Sequence, residues 1–136
     1  MSTLEVVKAF YNSDLANDSD VVSRCFHKDC ELHWTNSQGF KLLKYNDLTE
    51  FFNQTRKAFD NLRFEFTHLI ESGSTIVTRH TLFGSAIEDS SNETALGHFS
   101  AIWEIKDGKL YRGYEISQQA DENNAESMAS FSERKI

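Results

Sequence analysis

The sequence has no proline, only six glycines in 136 residues, and two cysteines. Without proline no turn can rest on a cis X–Pro bond, so turns must come from glycine, asparagine, aspartate and serine. Two cysteines are too few for a disulfide framework, and reduced thiols in a cytoplasmic protein are expected. Positive charge is sparse: 14 Lys+Arg stand against 21 Asp+Glu, a formal net charge of −7, with no basic block longer than two residues. Nucleic acids and anionic membranes select clustered positive surfaces, so neither is expected as a partner. No apolar run approaches the roughly 18 residues of a spanning helix. The opening MSTLEVVKAF lacks the basic-then-apolar pattern of a secretory signal.

Aromatic residues are plentiful. Eleven phenylalanines argue against disorder and for one real core in a chain whose length suits one domain. That domain is expected over residues 1–120. Residues 121–136, DENNAESMASFSERKI, are expected to be a polar tail, either frayed or a short loose helix.

Helices come first. Ser2 and Glu5 fit a capping box, and Leu4, Val7, Phe10 or Tyr11, and Leu15 recur at helical spacing. Asn17 to Asp20 break this helix and cap a short second one with Val21, Val22, Cys25 and Phe26 on its buried side. Cys30 to Asn36 read as a strand, after which SQGF turns the chain and KLL can pair back. A third helix follows, with Asp47 and Glu50 as its capping pair and Leu48, Phe51, Phe52, Thr55 and Phe59 as its inner face. Four strands complete the pattern: Leu62, Phe64, Phe66 and His68 alternate, Gly73 turns into TIVTRHTLF, ALGHFSAIWEI follows a polar loop, and an Asp-Gly turn leads into LYRGYEISQ. The fold class is therefore α+β, with about three helices over the concave face of a strongly curved, mostly antiparallel sheet. Such concavities favour pockets.

Cys25, His27, Cys30 and His33 are all zinc-ligand types. Their spacing is irregular, and gathering them on one ion would break both a helix end and a strand, so no metal is expected.

Two segments carry a resemblance. AFDNLRFEFTHLIESGSTIVTRHTLFGS, Ala58 to Ser85, resembles the central signature of the SnoaL-like proteins of the nuclear-transport-factor-2-like superfamily, and DGKLYRGYEIS resembles their last strand. Asp60-Asn61 replaces the usual Pro-Asp, and His80 stands where many members carry tryptophan. The likeness spans roughly residues 4 to 118. It implies a cone-shaped fold, a cavity for a small hydrophobic organic molecule, and a homodimer through the outer sheet face.

The resemblance also phases the strands. It places Tyr111, Gly113, Glu115 and Ser117 inward, with Tyr114 and Ile116 outward toward a dimer surface. Phe99, Ala101 and Trp103 then face the cavity, as do Ile76, Thr78, His80 and Leu82, while Arg79, His98, Ser100 and Ile102 face out. Leu32, Trp34 and Asn36 share the inner face. Glu115, His80 and Asn36 become the catalytic candidates: a buried carboxylate beside an imidazole can move a proton near neutral pH, and an amide can hold an oxygen. Trp34, Leu82, Phe99, Ala101, Trp103, Tyr111 and Gly113 become the ligand-binding wall.

Three branches of the superfamily match in part. Against the epoxide-hydrolase-like branch, Glu115 lands on one acid of an Asp-Arg-Asp triad, His80 on the arginine and Leu82 on the second acid. Trp34-Thr35-Asn36 lies on its Tyr-x-Asn pair. Ketosteroid isomerases carry an aspartate where this chain has Ala101. The SnoaL cyclases use an aspartate base near the last strand, a part Glu115 can play, with Gln118 at the next acidic family position. The expected activity is a proton-transfer isomerisation, cyclisation, dehydration or hydration, with no cofactor, because acidity beside a carbonyl can be exploited by side chains alone. The alternatives are a module that binds a small molecule without converting it, and an accessory or dimerisation domain whose cavity is closed by Trp34, Phe99 and Trp103.

Overall fold

The computed structural model describes residues 2–135; Met1 and Ile136, the ends of the two segments expected from the sequence, lie outside the described residues. The chain runs α1 (Thr3–Tyr11), α2 (Val21–Cys25), β1 (Phe26–Asn36), β2 (Gly39–Lys44), α3 (Tyr45–Ala58), β3 (Phe59–Ser72), β4 (Thr75–Ala86), a single 3-10 turn (Ile87–Asp89), β5 (Thr94–Lys106), β6 (Lys109–Gln119) and α4 (Ala125–Ser130). One open sheet has the order β2-β1-β6-β5-β4-β3. β1 and β6 pair in parallel and all other neighbours are antiparallel.

Local chemistry explains the elements. Ser2 Oγ accepts the Glu5 N–H at 3.1 Å and starts α1, whose Val7, Phe10 and Tyr11 are buried. Asp47 does not open α3 as expected. Lys44 precedes the helix, and the Asp47 carboxylate reaches back from the first turn to accept its N–H at 3.0 Å, which also sets negative charge at the positive helix end. β1 begins at Phe26 rather than Cys30, because Phe26 already pairs with Leu110. Asp107 and Gly108 both take positive φ, 54° and 72°, the conformation of a tight hairpin turn that twists with its strands.

Two of the sheet's register shifts move residues named above. Thr67 is an extra residue between Phe66 and His68, so His68 pairs with Arg79, and Thr67 itself is fully buried. Glu104 pairs with Arg112 and Ile105 with Leu110, leaving Tyr111 unopposed. Leu110, fully buried, takes the inward place expected of Tyr111.

The acidic tail is a strap rather than a frayed end. The Phe131 ring stacks on His98 with centroids 4.0 Å apart, and the Arg79 guanidinium lies 3.7 Å from the same ring. Arg79 also donates to the Ser130 carbonyl and hydroxyl, and the Lys135 N–H donates to the Thr67 carbonyl at 2.7 Å. One aromatic side chain in a polar segment thus anchors it to the outer sheet face by ring and cation contacts.

Candidate functional site

Helices α1 and α3 and the inner sheet face enclose a hollow of about 270 Å³. α3 contributes Leu48, Phe51, Phe52 and Thr55, and α1 contributes Phe10 and Tyr11. From the sheet come Trp34, Leu82, Phe99, Trp103 and Glu115, among others. Glu115 is the one carboxyl among the described lining residues; the rest are aromatic, leucine or threonine. Trp34 Nε1 donates to Ser117 Oγ at 2.8 Å, which ties the wall of β1 to the strand that carries the acid.

Register sets the place of Glu115. It lies between Trp34 on β1 and Ala101 on β5. Burial in this apolar setting pushes its carboxyl up to about 8, because little water or charge is at hand to solvate the anion. Tyr11, which at helical spacing reads as one of two interchangeable apolar positions, lines the same hollow. Burial first, and then the charge of Glu115, raise the Tyr11 phenol well above its ordinary value. Trp103 Nε1 donates to the Tyr11 hydroxyl oxygen at 2.8 Å. Thr78 Oγ1 is beside that hydroxyl. A signal was present: a tyrosine on an apolar helix face brings a hydroxyl that needs a partner.

His80 does not join this group. It is 1% exposed and sits in a box of rings: Phe99 stacked at 5.3 Å, Tyr11 and Phe66 at 4.9 Å, and Phe64 at 5.4 Å. Its Nδ1 has no hydrogen-bond partner, and burial alone pulls its imidazole down to about 3. The expected proton-sharing pair with Glu115 is absent among the described residues. The reason is strand order. β5 lies between β4 and β6, and Phe99 is the cross-strand partner of His80. In the plane of the sheet two strands and two residues separate His80 from Glu115, roughly 12 Å.

Four further positions are corrected. Asn36 does not face a substrate oxygen; its Oδ1 accepts the Gln38 N–H at 2.8 Å and shapes the β1–β2 turn. Tyr111 leaves the cavity because of the bulge, and its ring packs against His27 at 5.0 Å with Arg112 and Lys106 over it. Gly113 opens no room for a ligand. A Cβ there would overlap Trp103 Cζ3 and lie 2.8 Å from Cε3, so the space belongs to the indole. Ala101 is 1% exposed and stands beside Glu115 without bordering the hollow.

The four zinc-type residues have separate surroundings. Cys25 and Cys30 are buried free thiols, His27 meets Asp107 at 3.2 Å and His33 meets Glu31 at 3.3 Å. No described helix is long and apolar enough to cross a membrane.

Comparison with known proteins places this architecture. IdmH, described as a candidate polyketide cyclase from Streptomyces antibioticus, superposes with a TM-score of 0.71 at 10% identity, over 96% of this chain and 99% of that one. An LEH-like epoxide hydrolase from M. tuberculosis gives 0.65 at 16% identity, over 85% and 81%. An NTF2-like protein of unknown function from Burkholderia pseudomallei K96243 gives 0.61 at 20% identity, over 97% and 99%. At such identities the likeness is one of fold. No curated protein matches the chain. The model of the SnoaL-like domain matches residues 7–113, which take in the later part of α1, all of α2 and α3 and most of the sheet, and the chain belongs to the SnoaL-like family.

Proposed function

We propose that this protein is an enzyme that moves a proton on a small hydrophobic substrate, in an isomerisation, cyclisation, dehydration or hydration. The observation that carries the reading is one carboxyl, Glu115, set into the wall of an aromatic hollow and held up at about 8. A carboxylate made this basic is a far stronger proton acceptor than one in water, and it titrates close to neutral pH. The ionised form takes a proton from carbon beside a substrate carbonyl. The Tyr11 hydroxyl donates to the carbonyl oxygen as charge develops there. Glu115 then returns the proton to a second atom of the same substrate, which balances the step without any group beyond these side chains. Two neighbours of the same fold, named for a polyketide cyclase and an LEH-like epoxide hydrolase, support small-molecule processing. Leu82, Phe99, Trp34 and Trp103 would hold the apolar body. A cytoplasmic setting suits the two free thiols.

The test is a panel of ketones, lactones and epoxides offered to the wild type and to Glu115→Gln. Turnover is expected to rise with pH through about 8, as the base ionises, and to fall roughly 10²–10⁴-fold in the variant. Equal turnover in both proteins removes Glu115 from the mechanism. Tight binding of panel members without conversion favours a carrier.

The same reading pairs two copies through the outer sheet face. Leu42, His33, Tyr114, Ile102, Val77 and Ile70 align in one row across all six strands, and Ile116 beside them is 68% exposed. A row of this length is an apolar patch of the kind that marks a contact surface. Sedimentation should find a dimer for the wild type and a monomer for Ile102→Asp. A monomeric wild type at micromolar concentration ends the proposal.

A further inference from the structure

We infer that the C-terminal strap is a latch that closes on neutral His98 and lets go when that imidazole takes a proton. Alternation turns His98 and its cross-strand partner Thr81 to the outer sheet face, yet they are only 8% and 1% exposed. The strap covers them. The Phe131 ring lies flat on the imidazole, with 4.0 Å between centroids and 17° between planes. Arg79 holds the neighbouring Ser130 through its carbonyl at 3.2 Å and its hydroxyl at 3.0 Å. Farther along, the Lys135 N–H donates to the Thr67 carbonyl.

A closed strap gives an imidazolium nowhere to place its second proton. His98 Nδ1 and Thr81 Oγ1 are 2.8 Å apart and share one hydrogen bond, in which the hydroxyl can donate or accept. Nε2 has no partner among the described residues and is shut off from water. A neutral ring with its proton on Nδ1 leaves only a bare acceptor there. A protonated ring puts a charged donor at the same place, and an unpaired buried charge costs far more than an unpaired buried acceptor. The surroundings push the same way. Burial first, and then the charge of Arg79 on β4, hold the imidazole below its ordinary value. Gln118, its partner on β6, has no charge to offer. Among the described residues, the one carboxyl bordering the cavity between strap and sheet is Asp121, whose Oδ1 accepts the Asn123 N–H at 3.0 Å. Glu133 pairs with Lys135 at 3.0 Å, and His68 on β3 meets the Thr67 hydroxyl at 2.9 Å. An open strap returns His98 to water, where it protonates at its ordinary 6.5. Closure is therefore at full strength above 6.5 and weakens as the pH falls below it. Opening bares Thr81 and His98, two outward pairs along from Val77 and Ile102 of the apolar row.

Amide hydrogen exchange at Lys135, whose N–H is held by Thr67 at 2.7 Å, reads the latch in the full chain once each rate is divided by that of the unfolded peptide at the same pH. From pH 7.5 to 5 this protection should drop roughly tenfold in the wild type, the scale of one unsatisfied buried donor. It should stay level in His98→Phe, which keeps a ring under Phe131 and cannot titrate. Linkage gives a second readout. In Phe131→Ala the His98 titration midpoint, followed by proton NMR of the imidazole, should rise toward 6.5. Should His98→Phe fail to fold, that midpoint decides alone. Level protection in the wild type, an equal drop in His98→Phe, or a His98 midpoint unmoved by Phe131→Ala overturns the inference. Neither measurement needs a substrate, so the outcome is independent of the reaction proposed above.

Discussion

Glu115→Gln should flatten the fall in stability that the wild type shows between about pH 6.5 and 8. In the unfolded chain this carboxyl ionises at its ordinary value of 4.5, whereas in the folded protein burial holds it up at about 8. Below 4.5 both states are protonated and the native preference for the neutral acid is fully present. Above 4.5 the unfolded state sheds a proton that the native state keeps, so stability declines with each step in pH until the native carboxyl also ionises near 8. The loss of this one contribution over that window totals roughly 3–5 kcal/mol, and the opposite titration of His80 offsets it up to about pH 6.5. Glutamine removes the titration and keeps the shape. Chemical denaturation at pH 6.5 and 8 checks it: the midpoints for Glu115→Gln should differ less between these two values than those of the wild type. Parallel curves would mean that Glu115 is already solvated in the native state, and the strong base of the proposed reaction would go with it.

The acid side belongs to His80. Its unfolded value is 6.5 and its native value about 3, so its stabilisation is present above 6.5 and is lost as the pH falls through that window. The unfolded chain then binds a proton that the ring box of Tyr11, Phe64, Phe66 and Phe99 refuses. His80→Phe removes this titration together with an unpartnered buried nitrogen, itself a cost of about 1–3 kcal/mol. The variant should unfold at clearly higher denaturant than the wild type at pH 4, by roughly 3 kcal/mol or more from the titration alone, and by less at pH 7.5. Between about 4.5 and 6.5 the two residues act with opposite slopes, so their combined contribution is nearly level there. An equal gain for His80→Phe at both pH values would assign the effect to packing rather than to the imidazole.

Both residues were found in the sequence, for different reasons and with different success. Glu115 is a carboxylate two positions from a glycine on a strand that resembles the family's last, and that resemblance puts it on the inner face, where it is. His80 also faces inward, but facing inward is not the same as facing a site. Alternation says which side of the sheet a residue takes; it says nothing about who stands between two residues on that side. Phe99 stands there. Tyr111 failed for another reason: one extra residue opposite Glu104 and Ile105 reverses the phase, and a bulge leaves little mark in a sequence. Tyr11 was passed over because a tyrosine at helical spacing looks like a phenylalanine until its hydroxyl has a neighbour.

By itself the sequence determined the element order and the apolar faces of α1 and α3, which follow from short-range rules of periodicity, capping and turn chemistry that act within about ten residues. The inner and outer faces of most strands came through the family resemblance of Ala58–Ser85 and Asp107–Ser117. Tertiary structure alone decided that Glu115 shares its hollow with Tyr11 and not with His80, that Gly113 makes room for Trp103 and not for a ligand, and that Phe131 straps the tail to the outer face. Each of these brings together residues from different strands or from helix and sheet, 10 to 104 residues apart in the chain. Hydrogen bonding and desolvation depend on distances of a few ångströms across that gap, and only the folded chain supplies them.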